Sequence, residues 1–95
     1  MEQTWGIWGQ RRLRYLREHH AGLLAGMQLT GRLAAHLAEI DRTAEEMLDR
    51  LTKEMAVAEG VTEALKARDQ MAWVGRMNNI RSRAMEVVYQ ELIDT

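Results

Sequence analysis

Apolar residues recur along this chain at steps of three and four, and never alternate with polar ones over a strand-length run. The clearest stripe is Leu33, Leu37, Ile40, Ala44, Met47, Leu51, Met55 and Ala58, a heptad-like pattern sustained for more than three repeats. It predicts a helix ending near Glu59, about 40 Å long at roughly 1.5 Å per residue. Charged residues fill its other faces, with opposite-charge pairs at helical spacing such as Glu46–Arg50 and Asp49–Lys53. Gly60 is placed to end it in the left-handed C′ conformation. Thr62 is placed to cap a short helix from Glu63 to Ala67, and Asp69 a final long one to about Ile93. The final stripe is Trp73, Met77, Ile80, Ala84, Val87 or Val88, and Leu92. Two long stripes joined by a short connection should pack antiparallel.

The N-terminal third is less regular. Leu13, Leu16 and Tyr15, set among arginines, predict a first helix from Gln10 to about His20, with His19 and His20 suited to its negative end. Leu23, Leu24, Met27 and Leu29 follow, interrupted by Gly22, Gly26 and Gly31. Each interior glycine costs a helix about 1 kcal/mol relative to alanine, so this segment reads as short or kinked, with its joint at Leu29-Thr30-Gly31. The two glycines of Trp5-Gly6-Ile7-Trp8-Gly9 argue against helix, making residues 1–9 a candidate flexible tail. The expected fold is a single all-α domain, residues 1–95. It is a small helical bundle of two long antiparallel helices plus one or two short N-terminal ones.

Composition narrows the function. There is no cysteine, hence no disulfide, thiolate nucleophile or cysteine-based zinc site, in keeping with a reducing cytoplasm. Neither a secretory h-region nor a run approaching eighteen apolar residues is present, so a membrane is not an expected partner. Ser82 is the only serine, and no phosphate-binding glycine loop or nucleophile–base pair stands out, so the chain reads as no enzyme and as needing no cofactor. The formal net charge is −1, but residues 1–32 hold five arginines against two glutamates. Residues 33–95 hold eight basic residues against twelve acidic ones.

Three constellations are candidates for binding. Arg11, Arg12, Arg14 and Arg17, with Tyr15 among them, could neutralise phosphates or meet a protein partner, while Trp5 and Trp8 could stack. The structural alternative docks this helix by Leu13 and Leu16 and pairs its arginines with acidic helices. Asp41, Glu45, Glu46 and Asp49 form an acidic face that a partner could use. In Trp73-Val74-Gly75-Arg76-Met77-Asn78-Asn79, Gly75 would permit a close helix crossing, Trp73 and Met77 would be core, and Asn78 and Asn79 would hydrogen-bond across an interface. Arg76, Arg81 and Arg83 would be solvated or paired with Glu59, Glu63 or Glu86. His36 and Glu39 share a helical face, but too few ligands converge there to predict a metal site. The internal methionines suit irregular core gaps and adaptable surfaces.

Four segments together resemble the transposon-encoded TnpV family of bacterial mobile elements: Trp8-Gly9-Gln10-Arg11-Arg12-Leu13-Arg14-Tyr15-Leu16-Arg17-Glu18-His19, then His36-Leu37-Ala38-Glu39-Ile40-Asp41, then Glu59-Gly60-Val61-Thr62, then the run from Met71 to Ala84. The similarity covers roughly residues 5–93. Where the family commonly has proline, after the first-helix histidine and after the aspartate opening the last helix, this chain has His20 and Gln70. Both positions fall at helix starts, where proline is optional. The resemblance implies a mobile-element origin and a bacterial cytoplasm, and brings no mechanism with it.

The expected role is that of a non-enzymatic accessory protein that binds a nucleoprotein machine. Its protein partner would be a transposase or recombinase, or a host nuclease inhibited in an anti-CRISPR-like manner. The alternatives are a small DNA-binding protein using the basic helix 10–20, and a structural oligomerisation module. A homodimer would bury whatever apolar stripe so narrow a core leaves open.

Overall fold

A computed structural model describes residues 5–95. Five α-helices follow in order: α1 (Ile7–His19), α2 (Ala21–Leu29), α3 (Leu33–Ala58), α4 (Glu63–Arg68) and α5 (Gln70–Val88). A wide π-helical turn, Tyr89–Ile93, follows α5. There is no strand among the described residues.

α3 is the spine. Its C-terminal end closes as the sequence predicts, with Gly60 at φ 70° and the Val61 and Gly60 amides bonded to the Ala56 and Val57 carbonyls. Gly31 makes the same turn at φ 72°, with Arg32 and Gly31 amides on the Met27 and Gln28 carbonyls. Thr62 Oγ1 accepts from the Leu65 amide, and Asp69 Oδ1 from the Ala72 amide. Each of these caps is a local signal satisfied by local geometry.

α5 lies antiparallel to α3. Its middle packs Ile80 against Val61 and Leu65, and its end, with the π turn, brings Ala84, Val88 and Ile93 to Ile40, Ala44 and Leu48. α1 also runs antiparallel to α3, along the spine's N-terminal half. Trp8, 1% exposed, is part of the larger cluster, and Leu16 and Leu37 are fully buried. The spine is thus covered from two sides over its N-terminal half. Its buried set is Leu37, Ile40, Ala44 and Leu48, at steps of three, four and four along one face. Leu48 lies outside the expected stripe, and Ala58 within that stripe is exposed.

The molecule measures 55 × 28 × 17 Å with a radius of gyration of 17.0 Å. A compact chain of this length would have a radius of about 12 Å. Two helical layers account for the thickness, and most elements keep one face open.

Two expectations fail here. Residues 5–9 are not a tail: helix begins at Ile7, and Trp8 and Gly9 are buried. Residues 1–4 of that expectation lie outside the described residues. The last helix is not regular to Ile93 either. It gives way after Val88 to a π turn in which the Asp94 amide reaches back to the Tyr89 carbonyl at 2.7 Å. That wider turn carries Ile93 into the core.

Candidate partner-binding surfaces

α1 brings its four arginines to three different environments. Trp8, Arg12 and Leu16 follow one another at steps of four and are all buried, so Arg12 is on the docking face, not the solvent face. Arg12 Nη1 donates to the main-chain oxygens of Ile93 (3.0 Å) and Thr95 (2.6 Å), and Nε to His36 Nε2 (3.3 Å). Arg11 is forked onto Asp94 (2.8 and 3.3 Å), its guanidinium 3.6 Å from the Tyr89 ring centroid. Its hydrogen bond to Asp94 holds it charged even above the usual arginine range. Both arginines therefore pin the chain's end to α1. Arg14 and Arg17 are exposed and make no ion pair among the described residues. Tyr15 packs on the rings of His19 (4.8 Å) and His20 (5.5 Å). Arg11, Arg14, Tyr15, Glu18, His19 and Asp94 line an open groove of about 240 Å³. A four-arginine phosphate patch is not what α1 presents. The repeat of Trp8, Arg12 and Leu16 at steps of four could have revealed the inward arginine.

The acidic face divides in the same way. Asp41 turns toward α1, where Oδ2 accepts from the Gly6 amide (2.9 Å) and Oδ1 from the Gly9 amide (2.7 Å). It serves as the N-terminal cap that α1 lacks in its own sequence. A Cβ at Gly6 or Gly9 would stand 2.7 or 2.8 Å from that carboxylate, so glycine at both positions lets it approach without shifting. Glu45 accepts from Trp8 Nε1 at 2.8 Å. Asp41 and Glu45 hold α1 rather than an external partner. Glu46 and Asp49 do face solvent, beside Arg42 (3.5 Å) and Lys53 (2.9 Å), exposed pairs that water screens.

In α5, Trp73 and Met77 are half-buried against Val61, Leu65 and Ile80, and the Lys66 ammonium stands 4.6 Å from the Trp73 ring centroid. Gly75 marks no helix crossing: a Cβ there would meet nothing within 4 Å. Asn78 is exposed without a hydrogen bond among the described residues, and Asn79 accepts from Arg83 within the same helix. Arg83 also pairs with Glu59 at 2.7 Å, one of the alternatives the sequence left open.

A family model described as transposon-encoded protein TnpV matches residues 1–93. The chain belongs to the TnpV family. No curated protein and no solved structure matches it.

The segments that carry the TnpV resemblance fall on the joints of the fold. The first is α1, and the second is the stretch of α3 that receives α1 through His36 and Asp41. The third is the turn between α3 and α4, and the fourth the inward face of α5 with its outward neighbour. His20 and Gln70, in place of the TnpV prolines, stand just before α2 and at the first residue of α5.

His36 is oriented by Arg12, whose Nε–H it accepts, so its imidazole is neutral at that nitrogen. Burial, and secondarily the Arg12 charge, hold its pKa below the ordinary 6.5. The unfolded chain therefore takes up this proton first as pH falls. Stability is expected to decline below about pH 6.5 on this account, and a His36→Gln variant to flatten that decline in urea titrations between pH 7.5 and 5. Among the described residues no three acidic or histidine side chains converge as a metal site, and no helix is long and apolar enough to cross a membrane.

Proposed function

We propose that the chain is a non-enzymatic accessory protein of a bacterial mobile element, acting in the cytoplasm by binding a protein of a nucleoprotein machine. That protein is the element's transposase or recombinase, or a host nuclease blocked in an anti-CRISPR-like way. The observation that carries the reading is the state of α2. Residues 21–31 contain no charged side chain, yet Leu23 is 53% and Leu29 88% exposed. Only Leu24 of this helix is buried. An uncharged helix that keeps large apolar side chains in solvent is what a protein-binding surface requires. The non-enzymatic part rests on the residue inventory, which offers no activated nucleophile or convergent acid–base pair.

The DNA-binding alternative built on helix 10–20 loses half its arginines to the C-terminal joint. The oligomerisation alternative uses the same α2 face with a second copy as occupant. Light scattering after size exclusion separates the two. The chain is mixed with purified recombinase of its element, or with the nuclease, and run beside a Leu23→Glu/Leu29→Glu variant. A mixed complex that weakens at least 10-fold in the variant supports the proposal. Self-association lost in the variant, with no mixed complex, replaces it with the oligomerisation module. Both substitutions fall on exposed positions, so helical content should not change.

A further inference from the structure

α5 carries a second open face, and its chemistry differs from that of α2. Its inward stripe is Trp73, Met77, Ile80 and Ala84, so the opposite side runs through Met71, Gly75, Asn78 and Ser82 at the same steps of four, three and four. All four of these are exposed, and Met71 is 78% exposed. The solvent face of an ordinary surface helix is charged, as that of α3 is with Glu46, Asp49, Arg50 and Lys53. This one is uncharged, narrow and capable of hydrogen bonding.

Cations flank it. Between Lys66 and Arg83 there are five basic residues and one acidic residue, Asp69, whose carboxylate is occupied as the α5 cap. Arg83 is engaged by Glu59. Lys66, Arg68, Arg76 and Arg81 are exposed and form no ion pair among the described residues. Arg76 and Arg81 lie on opposite sides of the outward stripe, Arg81 about 90° and Arg76 about 130° round the helix from it, while Lys66, over the Trp73 ring, and Arg68 come from α4 at the start of α5. The acids facing this region are Glu59 and Glu63 near its α4 end and Glu86 one turn beyond Ser82.

Gly75 completes the pattern. In mid-helix it costs about 1 kcal/mol relative to alanine, and nothing in the fold needs it, since a Cβ would meet only open space. A missing side chain on the outermost line of a helix lets a ligand approach the backbone.

We infer that the N-terminal half of α5 is a site for duplex DNA: the Met71–Gly75–Asn78–Ser82 stripe enters the major groove, and Lys66, Arg68, Arg76 and Arg81 reach phosphates on its two sides. The major groove, about 12 Å wide, admits one α-helix, and a narrow stripe flanked by cations fits that geometry. Asn78 is suited to an adenine edge and Met71 to a thymine methyl. Duplex RNA, whose major groove is deep and narrow, does not fit. This site is independent of the α2 surface and of the basic helix α1.

Fluorescence anisotropy of labelled duplex DNA, with duplex RNA in parallel and salt varied from 50 to 200 mM, tests it. Four phosphate contacts predict a log–log salt slope of about −3.6, an affinity loss of roughly 150-fold across that range. An Arg76→Ala/Arg81→Ala variant should reduce the slope to about −1.8. Gly75→Leu should weaken DNA binding at least 10-fold while leaving helical content and urea midpoint undiminished, a split that a structural role for Gly75 would not produce. Binding lost in an Arg14→Ala/Arg17→Ala variant but kept in the α5 variants overturns the inference. So does no binding at 50 mM salt, or equal affinity for duplex RNA.

Discussion

Trp8→Ala is expected to cost about 3–5 kcal/mol, the range for truncating a large buried aromatic. A chain of this length has roughly 5–14 kcal/mol of stability in all, so the variant should be partly unfolded at 37 °C. The indole is 1% exposed and sits among Ile40, Ala44, Val88 and Ile93, joining α1 to both long helices. Its Nε1–H is spent on Glu45 (2.8 Å) and its ring is tilted against Tyr89 at 5.4 Å. Truncation therefore removes core volume, an aromatic contact and a hydrogen bond together. Ile7→Ala, one residue earlier and 63% exposed, is the control and should fall within about 0.5 kcal/mol of the parent. Urea titration followed by circular dichroism reads both. If Trp8→Ala costs under 1 kcal/mol, α1 is not docked as described and the N-terminus is a tail after all.

That contrast also marks where the sequence could be read and where it could not. The ends of α3, α4 and α5 were legible because their signals are local: Gly60 supplies a left-handed turn, and Thr62 and Asp69 cap the helices that begin beside them. Gly6 and Gly9 misled because the reason for them is 32 to 35 residues away, in a carboxylate that needs the space a Cβ would fill. Propensity counts such glycines as helix breakers. Tertiary structure uses them as a seat. Leu48 escaped the α3 stripe because the buried ridge steps by four from Ala44 to Leu48, where the heptad reading steps by three to Met47.

The binding surfaces were harder still, since the same side-chain chemistry serves inside and outside. Asp41 and Glu45 look in sequence like Glu46 and Asp49, yet the first two turn inward to α1 and the last two do not. Gly75 posed the opposite problem. It reads as a site of close helix packing and has open space instead, so its absence of a side chain points outward. Only the fold separates these cases, and it shifts attention from the arginines of α1 to those around α5.

Arg12→Ala should then be the most damaging of the four α1 arginine substitutions, at about 2–4 kcal/mol, where Arg14→Ala and Arg17→Ala stay within about 0.5 kcal/mol. Arg12 is 8% exposed, and its loss strands the buried Ile93 carbonyl and frees the Thr95 oxygen and His36 Nε2. Arg12→Lys restores a charge but has no fork to span His36 and the chain's end together, so it should recover only part of the loss. Hydrogen exchange should locate the damage in the π turn Tyr89–Ile93, which the arginine tethers to α1. If Arg12→Ala matched the parent in urea midpoint and in exchange across residues 89–95, the tether would carry no energy, and Arg12 would return to the list of residues available to a ligand. With the loss as expected, a binding defect in any variant that includes Arg12 measures folding first, and only Arg14 and Arg17 can test α1 as a contact surface.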